Sequence, residues 1–151
     1  MSLPRTCLAP VRSEAYDAHP MARIRGIGGI FFKSPNPEAL REWYAKHLGI
    51  VSNGEQGTMF PWHQPDSPYA DNCTAWCIFP ASTTYFNPSQ SPLMVNYVVD
   101  DLHAVLDALR NEGVWVDPKV NEYDYGKFGW IMDPEGNRIE LWEPLPKKET
   151  T

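Results

Sequence analysis

The side chains able to bind a metal, attack a carbonyl or move a proton are few and scattered in this sequence. Its four histidines do not recur at ligand spacing. His47 and His103 fall on amphipathic helical stretches and read as solvated surface, whereas His63, in Trp62-His63-Gln64-Pro65-Asp66, sits on a polar loop able to fold over a cleft. Cys73 and Cys77 have neither a basic neighbour nor a helix N-terminus to generate a thiolate, which disfavours nucleophilic catalysis. Gly26-Ile27-Gly28-Gly29 lies inside an apolar run rather than ahead of a helix, so it is not a phosphate cradle. What remains is Glu140, in Arg138-Ile139-Glu140-Leu141-Trp142. A carboxylate placed among Trp and Met must be paired, hydrated or raised in pKa, and the last suits a general acid or base. A second concentration, Tyr123-Asp124-Tyr125-Gly126-Lys127-Phe128-Gly129-Trp130, combines aromatics with glycines that let the chain bend or a ligand approach. Its bland alternative is a twisted edge hairpin with stacked aromatics.

Composition bounds what these groups serve. At 151 residues and 17.2 kDa the chain holds one core. Its 42% hydrophobic and 21% charged residues are those of a soluble globular protein, with no run near the ~20 apolar residues of a membrane helix. Thirteen basic against nineteen acidic residues, a net charge of −6 and no Lys/Arg stripe leave out the electrostatic term that nucleic-acid binding needs. Three cysteines are an odd number without a disulfide framework, which points to a reducing compartment, the cytoplasm. Fifteen prolines and many aromatics suggest short strands, turns and a lined cavity.

The elements that must position these residues follow from periodicity. Residues 1–21 show neither hydrophobic period nor an apolar core of a secretory signal, and read as an extension, with 146–151 as a tail. The apolar run from Ile24 to Phe32 predicts a strand, closed by Ser34-Pro35-Asn36-Pro37. Asn36 as N-cap, Pro37 at N1, Leu40, Trp43, Tyr44 and Leu48 at helical spacing and Gly49 as stop predict a helix over 37–48. Gly57–Trp62 and Thr74–Phe79 are strand-like. The order then restarts: strand Leu93–Val99, cap Asp100-Asp101, a helical stripe of Val105, Leu106 and Leu109 ended by Gly113, then strands Val114–Val116, Phe128–Met132 and Ile139–Trp142, the last two joined by the turn Asp133-Pro134-Glu135-Gly136-Asn137. An offset of 65 residues superposes Gly29–Asn36 on Met94–Asp101, the mark of an internal repeat of one βαβββ unit.

The duplication, the Trp43-Tyr44…Leu48-Gly49 helix end, the Asp100-Asp101-Leu102 cap and the closing Asp133-Pro134-Glu135-Gly136-Asn137-Arg138-Ile139-Glu140-Leu141 resemble the vicinal oxygen chelate superfamily, which includes glyoxalase I, extradiol dioxygenases, fosfomycin-resistance enzymes and metal-free bleomycin-binding proteins. The resemblance implies an α+β fold: two repeated βαβββ modules, about 24–86 and 92–145 within a single domain of 22–145, forming a curved mixed sheet with helices outside and a central cleft. In the metalloenzymes of that superfamily four side chains, from the first and last strand of each module, hold a divalent ion. Here those positions fall on Gly29, Met94, Trp76 and Glu140, and only the last is a ligand type. The expectation is therefore no metal and no cofactor.

If Gly29 and Met94 face the cleft as their metal-binding equivalents would, strand alternation adds Phe31, Lys33, Asn96, Arg138, Glu140 and Trp142 to it. The expected site has Phe31, Trp76, Met94 and Trp142 as apolar walls, Asn96, Glu140, Lys33 and Arg138 as polar anchors, and Tyr125 and Trp130 nearby, with Glu140 as the catalytic candidate. The bland alternative fills the cavity with these aromatics and pairs Glu140 with Arg138 or Lys33. Function then reads as a metal-free protein binding or transforming a small, partly aromatic organic molecule. The alternatives are a metal-dependent lyase or dioxygenase with ligands relocated to Glu140, His63 and Asp66, or a non-catalytic ligand-binding protein. A homodimer is expected, with Tyr123, Tyr125 and Trp130 at a two-fold interface; the opposing reading is a monomer whose extension folds back over that surface.

Overall fold

The computed structural model describes residues 24–53, 57–62 and 72–145. The expected extension, His63, Asp66 and the tail lie outside the described residues. Among these described residues seven strands and two helices follow in the order β1 (Ile24–Ser34), α1 (Pro37–Leu48), β2 (Thr58–Pro61), β3 (Cys73–Pro80), β4 (Leu93–Val99), α2 (Leu102–Asn111), β5 (Asn121–Tyr123), β6 (Gly126–Met132) and β7 (Arg138–Pro144). They make one curled mixed sheet in the order β2-β3-β1-β4-β7-β6-β5, with a helix from each half of the chain. The α+β class and the curved sheet expected from the sequence are present.

The halves mirror one another about the sheet's centre. β1 pairs antiparallel with β4, and each of these central strands pairs parallel with the last strand of its own half, β3 and β7. The caps stand where the sequence put them: Asn36 Oδ1 accepts from Ala39 N and Asp101 Oδ1 from Ala104 N, each relieving a donor at a helix start. Gly49 ends α1 at φ 68°, a conformation in which a side chain would strain the backbone.

Two elements differ from expectation. Val114–Val116 forms only a single bridge, Val116 to Ile131; Pro118 then has no N–H to give, and the edge resumes as β5, pairing Asn121 with Phe128. In the first half the described residues show three strands rather than four. Where the remaining strand would run, Val51 O accepts from Thr58 Oγ1 and Asn53 N donates to Gly57 O.

The convex face buries the helices unequally. α2 seats Leu102 and Leu106 against Val99 and Leu141, while α1 buries no residue fully and packs through Tyr44 on Phe32 and Trp76, with ring centroids 6.2 and 4.8 Å apart. No helix among the described residues is long and apolar enough to cross a membrane.

Candidate functional site

The concave face gathers residues from both halves because alternate positions on each strand point the same way. Phe31 from β1, Cys77 from β3, Met94 from β4, Trp130 from β6 and Phe86 from the connector 81–92 form one buried apolar cluster, with Ala75, Phe79 and Phe128 packed against it. Such packing is stabilised by the removal of aromatic and thioether surface from water, and it leaves a buried polar group costly unless every bond it needs is supplied.

Glu140 is that group. It is 2% exposed, and three donors from three separate segments meet it. Asn96 Nδ2 donates to Oε1 at 2.6 Å, Trp130 Nε1 donates to Oε2 at 2.9 Å, and the phenolic O–H of Tyr85 donates to Oε2 as well. Sheet register explains the first two, since Asn96 and Trp130 are the residues paired with Glu140 on its neighbouring strands. Burial pushes the Glu140 carboxyl above its ordinary value, outweighing the three hydrogen bonds and the Arg138 charge that favour the anion. Burial raises the Tyr85 hydroxyl in turn, with the Glu140 charge adding to it.

Beside this centre stands an aromatic wall. Trp142 and Phe128 stack in parallel at 6.0 Å, and Tyr123 and Tyr125 stack at 5.2 Å with their edges toward Phe128. Gly126 makes the wall fit: a Cβ there would stand 2.4 Å from Trp142 Nε1. Gly28 does likewise for the centre, since its Cβ would meet Asn96 Oδ1 at 2.3 Å.

The structure brings together Phe31, Met94, Asn96, Glu140 and Trp130, and sets Trp142 in the adjoining wall with exposed Tyr125 at its end. Lys33 is on the concave side with Nζ 5.1 Å from the Phe86 ring centroid. Arg138 is there too but engaged elsewhere: Nη2 lies 3.0 Å from Asp117 and the guanidinium sits 5.2 Å over the Trp130 ring, so it buttresses that indole and does not pair with Glu140 as in the bland alternative. Trp76 is corrected. Its ring packs on Phe32 and Tyr44 on the convex face, because matching Trp76 to Glu140 slips the strand by one residue and turns the side chain to the other side. Cys77 takes the cleft position instead. Its thiol is pushed up to about 11, first by burial and then by the Glu140 charge, and it therefore stays protonated. Trp130 is 2% exposed, too buried for the expected interface. Sequence reasoning missed Tyr85, Phe86, Phe79 and Phe128; the first two lie on a connector with no period, and the others were legible from strand alternation.

A divalent ion, as the resemblance would place it, does not fit these residues. Gly29 has no donor, Met94 offers a thioether inside an apolar cluster, Trp76 faces away, and the Glu140 oxygens already accept three bonds. Among the described residues no three His, Cys, Asp or Glu side chains converge.

No protein-family model matches the sequence, and no curated protein matches it. Solved structures do. Methylmalonyl-CoA epimerase from Mycobacterium tuberculosis is 21% identical, over 87% of this chain and 96% of that one, with a TM-score of 0.58. Methylmalonyl-CoA epimerase from Streptomyces coelicolor, as a variant in complex with 2-nitronate-propionyl-CoA, is 15% identical over 82% and 99%, at 0.57. BphC, a halotolerant catechol dioxygenase, is 15% identical over 85% of this chain and 42% of its own, at 0.55. The likeness, at 21% identity and below, shows the fold that these structures share with this chain.

Proposed function

We propose that this protein binds, or binds and transforms, a small and partly aromatic organic molecule in the concave cleft, without a divalent ion at the chelating position. The observation that carries this reading is Glu140: a buried carboxyl oriented by Asn96 and Trp130 from neighbouring strands, set among aromatic side chains, with its oxygens taken by hydrogen-bond donors. An apolar concavity with few, directional polar groups is the arrangement small ligands need. The stacked Trp142 and Phe128 supply a flat wall, Lys33 a cation on the concave side, and Glu140, with three donors on its four lone-pair positions, room to accept one more. Because burial raises its pKa, Glu140 is also suited to hold a proton for, or take one from, the bound molecule.

The test is elemental analysis of untagged protein together with tryptophan-fluorescence titration against a panel of small aromatic compounds, with and without EDTA. Binding of panel members that EDTA leaves unchanged supports the reading. Stoichiometric metal that is lost in Glu140→Gln, or no binding by any compound, overturns it.

A further inference from the structure

Two of the donors to Glu140 are built into the sheet, and the third is not. Tyr85 belongs to the connector 81–92, most of which is exposed, and the residue itself is 37% exposed although its hydroxyl reaches a carboxylate that is 2% exposed. Its ring lies parallel to Phe79 at 5.5 Å and 7° and stands steeply inclined to Phe86 at 6.3 Å and 60° and to Trp130 at 6.2 Å and 86°. The connector is anchored by the next residue, Phe86, which is completely buried, and by the turn bonds Asn87 N to Thr84 O and Ser89 N to Phe86 O. Were the Tyr85 side chain to swing out with Phe86 still seated, the ring-sized space that it fills against Phe79, Trp130 and Glu140 would become available.

We infer that the ligand is a hydroxyaromatic molecule, a phenol, whose ring takes the place of the Tyr85 ring against Phe79 and whose O–H takes the place of the Tyr85 O–H on Glu140. This rests on the reading of the cleft as a small-molecule site. The side chain of Tyr85 shows which chemistry the pocket satisfies: a flat apolar face for Phe79, a perpendicular ring contact with Trp130, and one donor at the end of the ring. An aromatic molecule without that donor would leave Glu140 Oε2 with the Trp130 N–H alone at a buried carboxyl, a cost that a phenol avoids. Selection is therefore by the donor, beyond aromaticity.

Calorimetric titration of the full chain with p-cresol, and with toluene and p-methylanisole, tests this. The two comparison compounds bracket p-cresol in size and cannot donate a hydrogen bond. Wild type is expected to bind p-cresol roughly tenfold or more tightly than either, and Tyr85→Phe, which removes the competing internal donor, is expected to bind p-cresol more tightly still. Affinities for the three compounds within about twofold of one another in wild type would overturn the phenol assignment while the aromatic-cleft reading stands. If none of the three binds wild type or Tyr85→Phe, the phenol assignment fails. If a broader panel of aromatics also fails to bind, the cleft reading fails with it. The comparison within wild type decides the matter even if Tyr85→Phe does not fold.

Discussion

Asn96 and Glu140 are register partners on adjacent parallel strands, each 2% exposed, and the amide of the first donates to the carboxylate of the second at 2.6 Å. Replacing Asn96 by Leu keeps the volume and removes the donor. The variant is expected to lose about 1.5–3 kcal/mol, the cost of withdrawing a hydrogen bond from a buried charged group. Urea unfolding checks it through a lower midpoint at unchanged slope.

The raised Glu140 pKa sets a pH dependence. The folded state holds that proton to higher pH than the unfolded chain, whose carboxyl has the ordinary value of 4.5. Stability from this group is therefore full below 4.5 and is lost as pH rises through the raised value. Glu140→Gln has no such loss. The stability difference between variant and wild type should move in favour of the variant between about pH 4 and about pH 8; a difference that stays flat across denaturation curves at both ends would contradict the raised value.

Gly126→Ala tests the wall. The added methyl would stand 2.4 Å from Trp142 Nε1 and 2.9 Å from the Glu143 carbonyl oxygen, so the indole must move off Phe128. A loss of about 1–3 kcal/mol is expected, with a changed near-ultraviolet dichroism reporting the lost stacking. An unaltered spectrum and melting temperature would place the wall elsewhere.

Association as a homodimer is proposed through the outer end of that wall, where Tyr123 and Tyr125 are 48% and 61% exposed and stack on each other. Light scattering at micromolar concentration is expected to give twice the monomer mass for wild type and a shift toward monomer for Tyr125→Asp. A monomer at every concentration would remove the proposal.

How far the sequence carried this structure is visible residue by residue. Asn36 and Asp101 were legible as caps because capping depends on residue type at one local position. Phe31, Lys33, Met94 and Asn96 were assigned to the right face because each strand alternates with a period of two. Trp76 was not, since its face came from matching one strand to another and a single-residue slip inverts every side chain. Tyr85 carried no signal at all: its partner lies 55 residues away, and nothing local marks a connector tyrosine that reaches inside. The outer strand of the second half was misplaced because hydrophobicity marked Val114–Val116, while the ladder depends on backbone donors, which Pro118 lacks.

Among the described residues the sheet curls without closing, and its two edges are its shortest strands, four residues in β2 and three in β5. β2 ends in Pro61, and the bridge at Val116 is separated from β5 by Pro118, so neither rim offers a long unbroken row of backbone donors. An open sheet of seven strands is otherwise a template on which a second chain adds itself strand by strand. Short, interrupted rims give such a chain few bonds to make, which opposes fibrous self-assembly.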